Sequence, residues 1–208
     1  MNLENYYYYF KGALSHKFCN EIIEYGKMQK EELGSIGFFG NKNLEKKDLK
    51  SLQKKRHSNV VWMKDKWIYK EILPYVEIAN KKAGWNFDWD FPESCQFTKY
   101  SSNQHYDWHC DSWDRPYKKP ESPKEHGKIR KLSVTCSLSN PEDYQGGELE
   151  FNFNDPEKNK KQNIRKCTEI LQRGSIVVFP SFVWHRVCPV KKGTRYSLVI
   201  WNLGYPYK

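Results

Sequence analysis

Between residues 105 and 111 the chain reads His105-Tyr106-Asp107-Trp108-His109-Cys110-Asp111, a His-x-Asp pattern that occurs twice. Imidazole nitrogens and carboxylate oxygens are donors for divalent transition metals. In an extended strand, residues two apart point to the same side, so His109 and Asp111 can reach one point in space. His105 and Asp107 have the same parity, and periodicity does not choose between the pairs. A further imidazole stands far along the chain at His185, in the strand-like run Ser181-Phe182-Val183-Trp184-His185. Two histidines and one carboxylate on one face of a metal leave its other positions open, as non-haem Fe(II) oxygen chemistry requires. Beyond His185, after a turn that includes Pro189, Val190 and Gly193, Arg195 opens another strand-like segment. Its guanidinium fork suits a carboxylate bidentately. The residues describe a metal site beside an anion site.

The elements that must carry these residues fall into two parts. In the first, Ser15 is placed to cap a helix over 16–32, with Phe18, Ile22, Ile23 and Met28 near one face and Gly34 ending it. Residues 34–58, rich in Gly, Asn and Lys, are expected to form a mobile loop. Asn59–Met63 reads as a short strand. A second helix is expected over 66–83, with Ile68, Ile72, Leu73, Val76 and Ala79 on one face and a kink at Pro74. From residue 85 the hydrophobic period changes to two. Strands are expected at 85–100, 104–111, 129–138, 147–153, 167–171, 175–179, 182–188 and 195–202, with polar loops at 112–128 and 154–166. Many short strands without alternating helices argue an all-β barrel or sandwich. The expected organisation is one compact domain, a helical support over 1–84 and a β core over 85–208.

Composition narrows the function classes. A chain of 208 residues with 16% aromatics has enough apolar mass for a core, so wholesale disorder is not expected. No apolar run reaches the length of a membrane helix, and the start, Met1-Asn2-Leu3-Glu4-Asn5, lacks the features of an export signal. An intracellular, cytoplasmic protein is expected, with its six cysteines as reduced thiols, since none forms a C-x-x-C pair. Lys and Arg number 35 against 25 Asp and Glu, a net charge of +10. Such an excess suits a nucleic acid, an acidic substrate or merely a lysine-rich surface. The scatter of the lysines favours the surface reading.

In order and spacing, several segments resemble the prolyl 4-hydroxylase-type Fe(II)/2-oxoglutarate dioxygenases. They are Tyr100, Tyr106, His109 and Asp111; the run Arg130-Lys131-Leu132-Ser133-Val134-Thr135-Cys136-Ser137-Leu138-Ser139; Gly146-Gly147-Glu148-Leu149; Gly174; Phe179-Pro180-Ser181; His185; and Gly193 with Arg195. The resemblance covers roughly residues 90–204, with a weaker echo in the capped first helix. It implies a mainly β fold, a double-stranded β-helix (jelly-roll) core packed by two or more α-helices. It also favours the second His-x-Asp, because in the family a tyrosine stands three residues before the ligand histidine, as Tyr106 stands before His109.

The resemblance implies His109, Asp111 and His185 as ligands of Fe(II), and Arg195 as the holder of the 2-oxoglutarate C5 carboxylate, with help from Tyr100 and Ser197. It implies Tyr106, Arg130 and Trp201 as substrate-pocket residues. The expected reaction uses O2 and 2-oxoglutarate to hydroxylate a prolyl residue of a peptide or protein, releasing succinate and CO2, with ascorbate keeping the iron reduced. Loops 34–58 and 112–128 are expected as lids, and Arg56-His57-Ser58 is placed to touch a peptide. One departure is Leu203, where collagen- and plant-type members carry a histidine. It leaves room for the same chemistry on a small molecule or another side chain. A nucleic-acid oxygenase of this superfamily has a second arginine soon after the cosubstrate arginine, and Tyr196-Ser197-Leu198-Val199-Ile200-Trp201-Asn202 supplies none. A metal-free binding scaffold fits poorly with a complete ligand set. Neither a membrane nor a nucleic-acid partner is expected, and both monomer and dimer remain open.

Overall fold

The computed structural model describes residues 5–36, 45–112, 115–158 and 161–207. Parts of the expected loops, 37–44, 113–114 and 159–160, lie outside the described residues, as do 1–4. The first part of the chain runs β1 (Tyr8–Phe10), α1 (His16–Lys27), β2 (Glu32–Leu33), α2 (Lys46–Lys55), β3 (Arg56–His57), β4 (Asn59–Met63) and α3 (Lys66–Lys82). Then follow β5 (Phe91–Pro92), β6 (Cys95–Tyr100), β7 (His105–His109), β8 (Ile129–Ser137), β9 (Tyr144–Gly146) and β10 (Leu149–Asn152). The last strands are β11 (Ile164–Lys166), β12 (Ile176–Pro180), β13 (Trp184–Val187), β14 (Val190–Gly193) and β15 (Arg195–Gly204).

Ser15 caps α1 as expected, its hydroxyl accepting from the Phe18 N–H at 3.1 Å. The helix stops at Lys27 rather than at 32, and Met28 is exposed. Tertiary pairing wins over helix propensity here. Glu32 and Leu33 pair with Val60 and Asn59, and Glu31 meets Lys99 at 2.8 Å. Residues 46–55 of the expected loop are instead α2, a lysine-rich helix in which Leu52 is the one fully buried anchor among the described side chains and gave too little periodicity to read. Pro74 lies inside α3, which continues through it, and Ile68, Ile72, Val76 and Ala79 are buried. The expected strand 85–100 forms only as β5 and β6, residues 85–90 being irregular, and the expected strand 167–171 is replaced by a 3-10 turn at 168–170. Conversely, β11 forms within the expected loop 154–166 by pairing with β10.

The large antiparallel sheet has the order β1-β12-β8-β15-β6-β4-β2, with β5 on the end of β15. A second sheet has the order β11-β10-β13-β7-β3, and β14-β9 form a ribbon. Alternation splits the large sheet into two different faces. Phe97, Leu132, Val134, Cys136, Leu198 and Ile200 join the apolar core made with Ile22, Ile68, Ile72 and Val76 of α1 and α3. The opposite side chains are polar yet equally buried: Gln96, Thr98, Ser133, Thr135, Ser137, Arg195 and Ser197. A second apolar cluster, with Tyr100, Leu149, Phe151, Val177, Phe179 and Val187, fills the space between the sheets. This is the double-stranded β-helix, helices on one face and the site on the other. All six cysteines are unbridged.

Candidate metal centre and cleft

A β-bulge decides between the two His-x-Asp pairs. In the β7–β13 ladder His109 faces His185 and Tyr106 faces Val187, so three steps on β7 match two on β13. The extra residue reverses the alternation. Tyr106 and His109 therefore project together and stack, ring centroids 3.5 Å apart and nearly parallel. His105 turns outward, its Nε2 lying 3.0 Å from the Lys54 carbonyl. Asp107 is half exposed and 4.0 Å from Lys55. Asp111 lies just beyond the strand, pinned by its N–H and that of Ser112, both donating to the Ser181 carbonyl at 2.9 Å.

One donor atom each from His109, Asp111 and His185 lies within 4.8 Å of the others. The Nε2 of His109 is 3.8 Å from Asp111 Oδ1, and that of His185 is 3.5 Å from Oδ2. Each Nδ1 faces a carbonyl, that of Asp107 at 2.7 Å and that of Val183 at 2.9 Å. A carbonyl only accepts, so Nδ1 carries the proton and Nε2 keeps its lone pair toward the centre. Burial, and then the neighbouring His185, hold His109 well below its ordinary pKa, so its imidazole stays neutral. Burial alone would raise Asp111, but the imidazoles of His185 and His109 and the Arg130 guanidinium outweigh it and hold the carboxyl below its usual range. Two imidazoles and one carboxylate fit a divalent iron ion in kind and in convergence.

Behind the carboxylate, Ser133 Oγ donates to Asp111 Oδ2 at 2.7 Å and lies 2.9 Å from Ser181 Oγ. Both hydroxyls are fully buried. We expect Ser133→Ala to weaken Fe(II) affinity by about 10- to 100-fold with the fold retained, because outer partners orient metal ligands. Titration of Co(II) or Fe(II) into the variant checks this, and wild-type affinity would remove the orienting role.

Arg195 opens β15 opposite Tyr100 of β6. It is buried, donates to Ser197 Oγ at 3.2 Å and lies 5.7 Å from the Tyr100 ring centre. Among the described residues no carboxylate pairs with it. Gly147, at φ +65°, makes room, since a Cβ there would fall 3.0 Å from Arg195 Cδ. Desolvation raises the Tyr100 phenol, against the pull of Arg56 and Arg195, so it remains a neutral donor. Arg195, Tyr100 and Ser197 thus form one buried, cationic, hydrogen-bonding group.

A cleft of about 1000 Å³ opens onto His109 and Asp111. Tyr106, Arg130 and Trp201 are on its wall, whereas Arg195, Tyr100 and Ser197 are buried and do not line it. A second bulge explains Arg130. Between Asn202–Leu132 and Leu203–Arg130 the ladder slips by one residue, which turns Arg130 to the cleft side. There it binds Glu93 through Nε at 3.0 Å and Nη2 at 2.6 Å and stacks 3.8 Å from the Trp201 ring centre. Tyr117, from the segment after Asp111, donates to the same Glu93 at 2.8 Å. Sequence reasoning missed Trp62, Gln96, Trp108, Tyr117 and Trp184, all lining residues. The aromatic content of the chain hinted at the tryptophans, the expected lid 112–128 contains Tyr117, and nothing pointed to Gln96.

A family model of the 2OG-Fe(II) oxygenase superfamily matches residues 95–202. The chain belongs to that superfamily. A PKHD-type hydroxylase of Prochlorococcus marinus is 36% identical over 109 residues, covering 52% of this chain and 41% of the relative. The match thus spans about two fifths of that curated relative's length. The viral collagen prolyl hydroxylase of Paramecium bursaria Chlorella virus-1, solved with 2OG, superposes with a TM-score of 0.63 at 19% identity, covering 97% of each chain. A Trichoplax adhaerens prolyl hydroxylase, solved with a hypoxia inducible factor peptide fragment, gives 0.60 at 17% identity, covering 96% of this chain and 84% of that one. The fold is that of prolyl hydroxylases. No helix among the described residues is long and apolar enough to cross a membrane.

Proposed function

We propose that this chain hydroxylates a prolyl residue in a peptide or protein, using Fe(II), 2-oxoglutarate and O2 and releasing succinate and CO2. The observation that carries the reading is the convergence of two Nε2 atoms and a carboxylate, with His109 and Asp111 of this set lining an aromatic cleft. His109, Asp111 and His185 are the iron ligands. When bound, the iron with 2-oxoglutarate and O2 supplies the oxidising power that breaks a substrate C–H bond. Arg195 takes the far carboxylate of 2-oxoglutarate, with Ser197 and Tyr100 as neutral donors. The carbonyls of Asp107 and Val183 keep the imidazoles in the metal-binding tautomer. Tyr106, Trp201 and Arg130 form the surface against which a prolyl ring packs, and the segment carrying Tyr117 closes over it to exclude water. Ascorbate serves as the reductant. The enzyme acts inside the cell as a monomer or dimer.

A second reading keeps the chemistry and changes the substrate to a small molecule or another side chain. Leu203 favours it, being fully buried where collagen- and plant-type members place a histidine. Incubation of the Fe(II) protein with 2-oxoglutarate and a panel of proline-containing peptides separates the two. The first reading expects succinate in step with one added oxygen on a proline. Succinate without oxygen on any such peptide moves the assignment to the second.

A further inference from the structure

We propose that Arg56 is a second anion anchor, which selects peptide segments carrying a carboxylate beside the reacting residue. This rests on the cleft being the substrate site. Arg56 opens β3 opposite Tyr106, is 4% exposed, and stands on the cleft wall with its guanidinium 4.6 Å from the Tyr106 ring centre. Its three protein partners are all neutral. Nε donates to Ser58 Oγ at 3.0 Å, Nη1 to the Ser35 carbonyl at 2.8 Å and Nη2 to Gln96 Oε1 at 3.0 Å. A guanidinium has five N–H groups, so one remains on each terminal nitrogen. Gly34 packs on the group so closely that a Cβ would fall 2.6 Å from Nε, which fixes its position.

Among the described residues no carboxylate lies within ion-pair distance of Arg56. The contrast with Arg130 on the same wall is direct, since Glu93 neutralises that guanidinium bidentately. A buried cation held only by neutral acceptors and an aromatic face is desolvated without full compensation, and an incoming carboxylate supplies the missing charge. Arg115 and Lys118 on the exposed rim repeat the positive sign, whereas the carboxylates on the wall are Asp111, committed to the metal site, and Glu157. Arg195 belongs to a different element, β15, and does not line the cleft, so the chain offers separate cations for two carboxylate-bearing molecules.

The test uses the full chain with Mn(II) and 2-oxoglutarate, and two short peptides identical except that glutamates flank the central proline in one and glutamines in the other. Binding is read from the fluorescence of the cleft tryptophans. The glutamate peptide should bind roughly tenfold more tightly at low salt, and that ratio should approach one in Arg56→Gln and recover in part in Arg56→Lys. If Arg56→Gln does not fold, the ratio in the wild type and its decline with salt still decide. Equal binding of the two peptides, binding of neither, or an Arg56→Gln effect confined to the 2-oxoglutarate KM overturns the proposal. The underlying reading fails separately, when bound peptides gain no oxygen with Fe(II) in place of Mn(II).

Discussion

Asp111→Ala should lose Fe(II)-dependent succinate formation by more than the ~10- to 100-fold that removal of an outer-shell partner brings. Asp111 supplies the only anionic donor among the three clustered groups. Without it two imidazoles face a dication alone, and the facial set is incomplete. The backbone at this point does not depend on the side chain, because the N–H groups of residues 111 and 112 are held by the Ser181 carbonyl. The variant should therefore fold, and the loss should be local. Ser133 loses its charged acceptor and retains the Ser181 hydroxyl at 2.9 Å. Two readouts separate ligand loss from general damage. Far-UV circular dichroism should match the wild type, while the visible bands of added Co(II) should vanish. Unchanged turnover would falsify the ligand assignment.

The same centre shows where sequence reading stopped. The long strands β8 and β15 were legible because their apolar residues alternate, and His185 and Arg195 were legible from the strands around them. The choice between His105 and His109 was not, because a bulge is an extra residue in one strand relative to its partner and leaves no mark in a single strand's periodicity. The resemblance favours His109, and the bulge that stacks Tyr106 on His109 is the physical feature that sets it apart from His105. Arg130 was turned into the cleft by a second bulge of the same kind. The alternation of Ser133, Thr135 and Ser137 with Leu132, Val134 and Cys136 reads like a sheet with one wet face. Here that face is buried, and the Ser133 hydroxyl donates to the Asp111 carboxylate instead of to water. The helix α2 escaped because Lys47, Lys50, Lys54 and Lys55 are exposed and, among its described side chains, Leu52 alone is fully buried.

Arg195→Gln should raise the KM for 2-oxoglutarate by roughly 30-fold or more, the factor that corresponds to the ~2 kcal/mol lower bound for losing one partner of a buried charge pair. Arg195 is 3% exposed and its hydrogen-bond partner is the neutral Ser197. Among the described residues that buried guanidinium has no counter-charge, so replacing it with a neutral amide should leave melting temperature unchanged or higher. A structural arginine predicts the opposite sign. The two roles also differ in response to ligand. Saturating 2-oxoglutarate with Mn(II) should raise the wild-type melting temperature through binding to the folded state alone, and this increment should shrink in the variant. Arg195→Lys keeps the charge but not the fork, and Lys also occurs at this position in the resembled family, so it should fall between the two. Because Tyr100 and Ser197 remain as neutral donors, residual binding is expected in Arg195→Gln, and high cosubstrate concentration should restore much of the turnover. A variant with a wild-type KM for 2-oxoglutarate and a lowered melting temperature would move Arg195 from the cosubstrate to the fold.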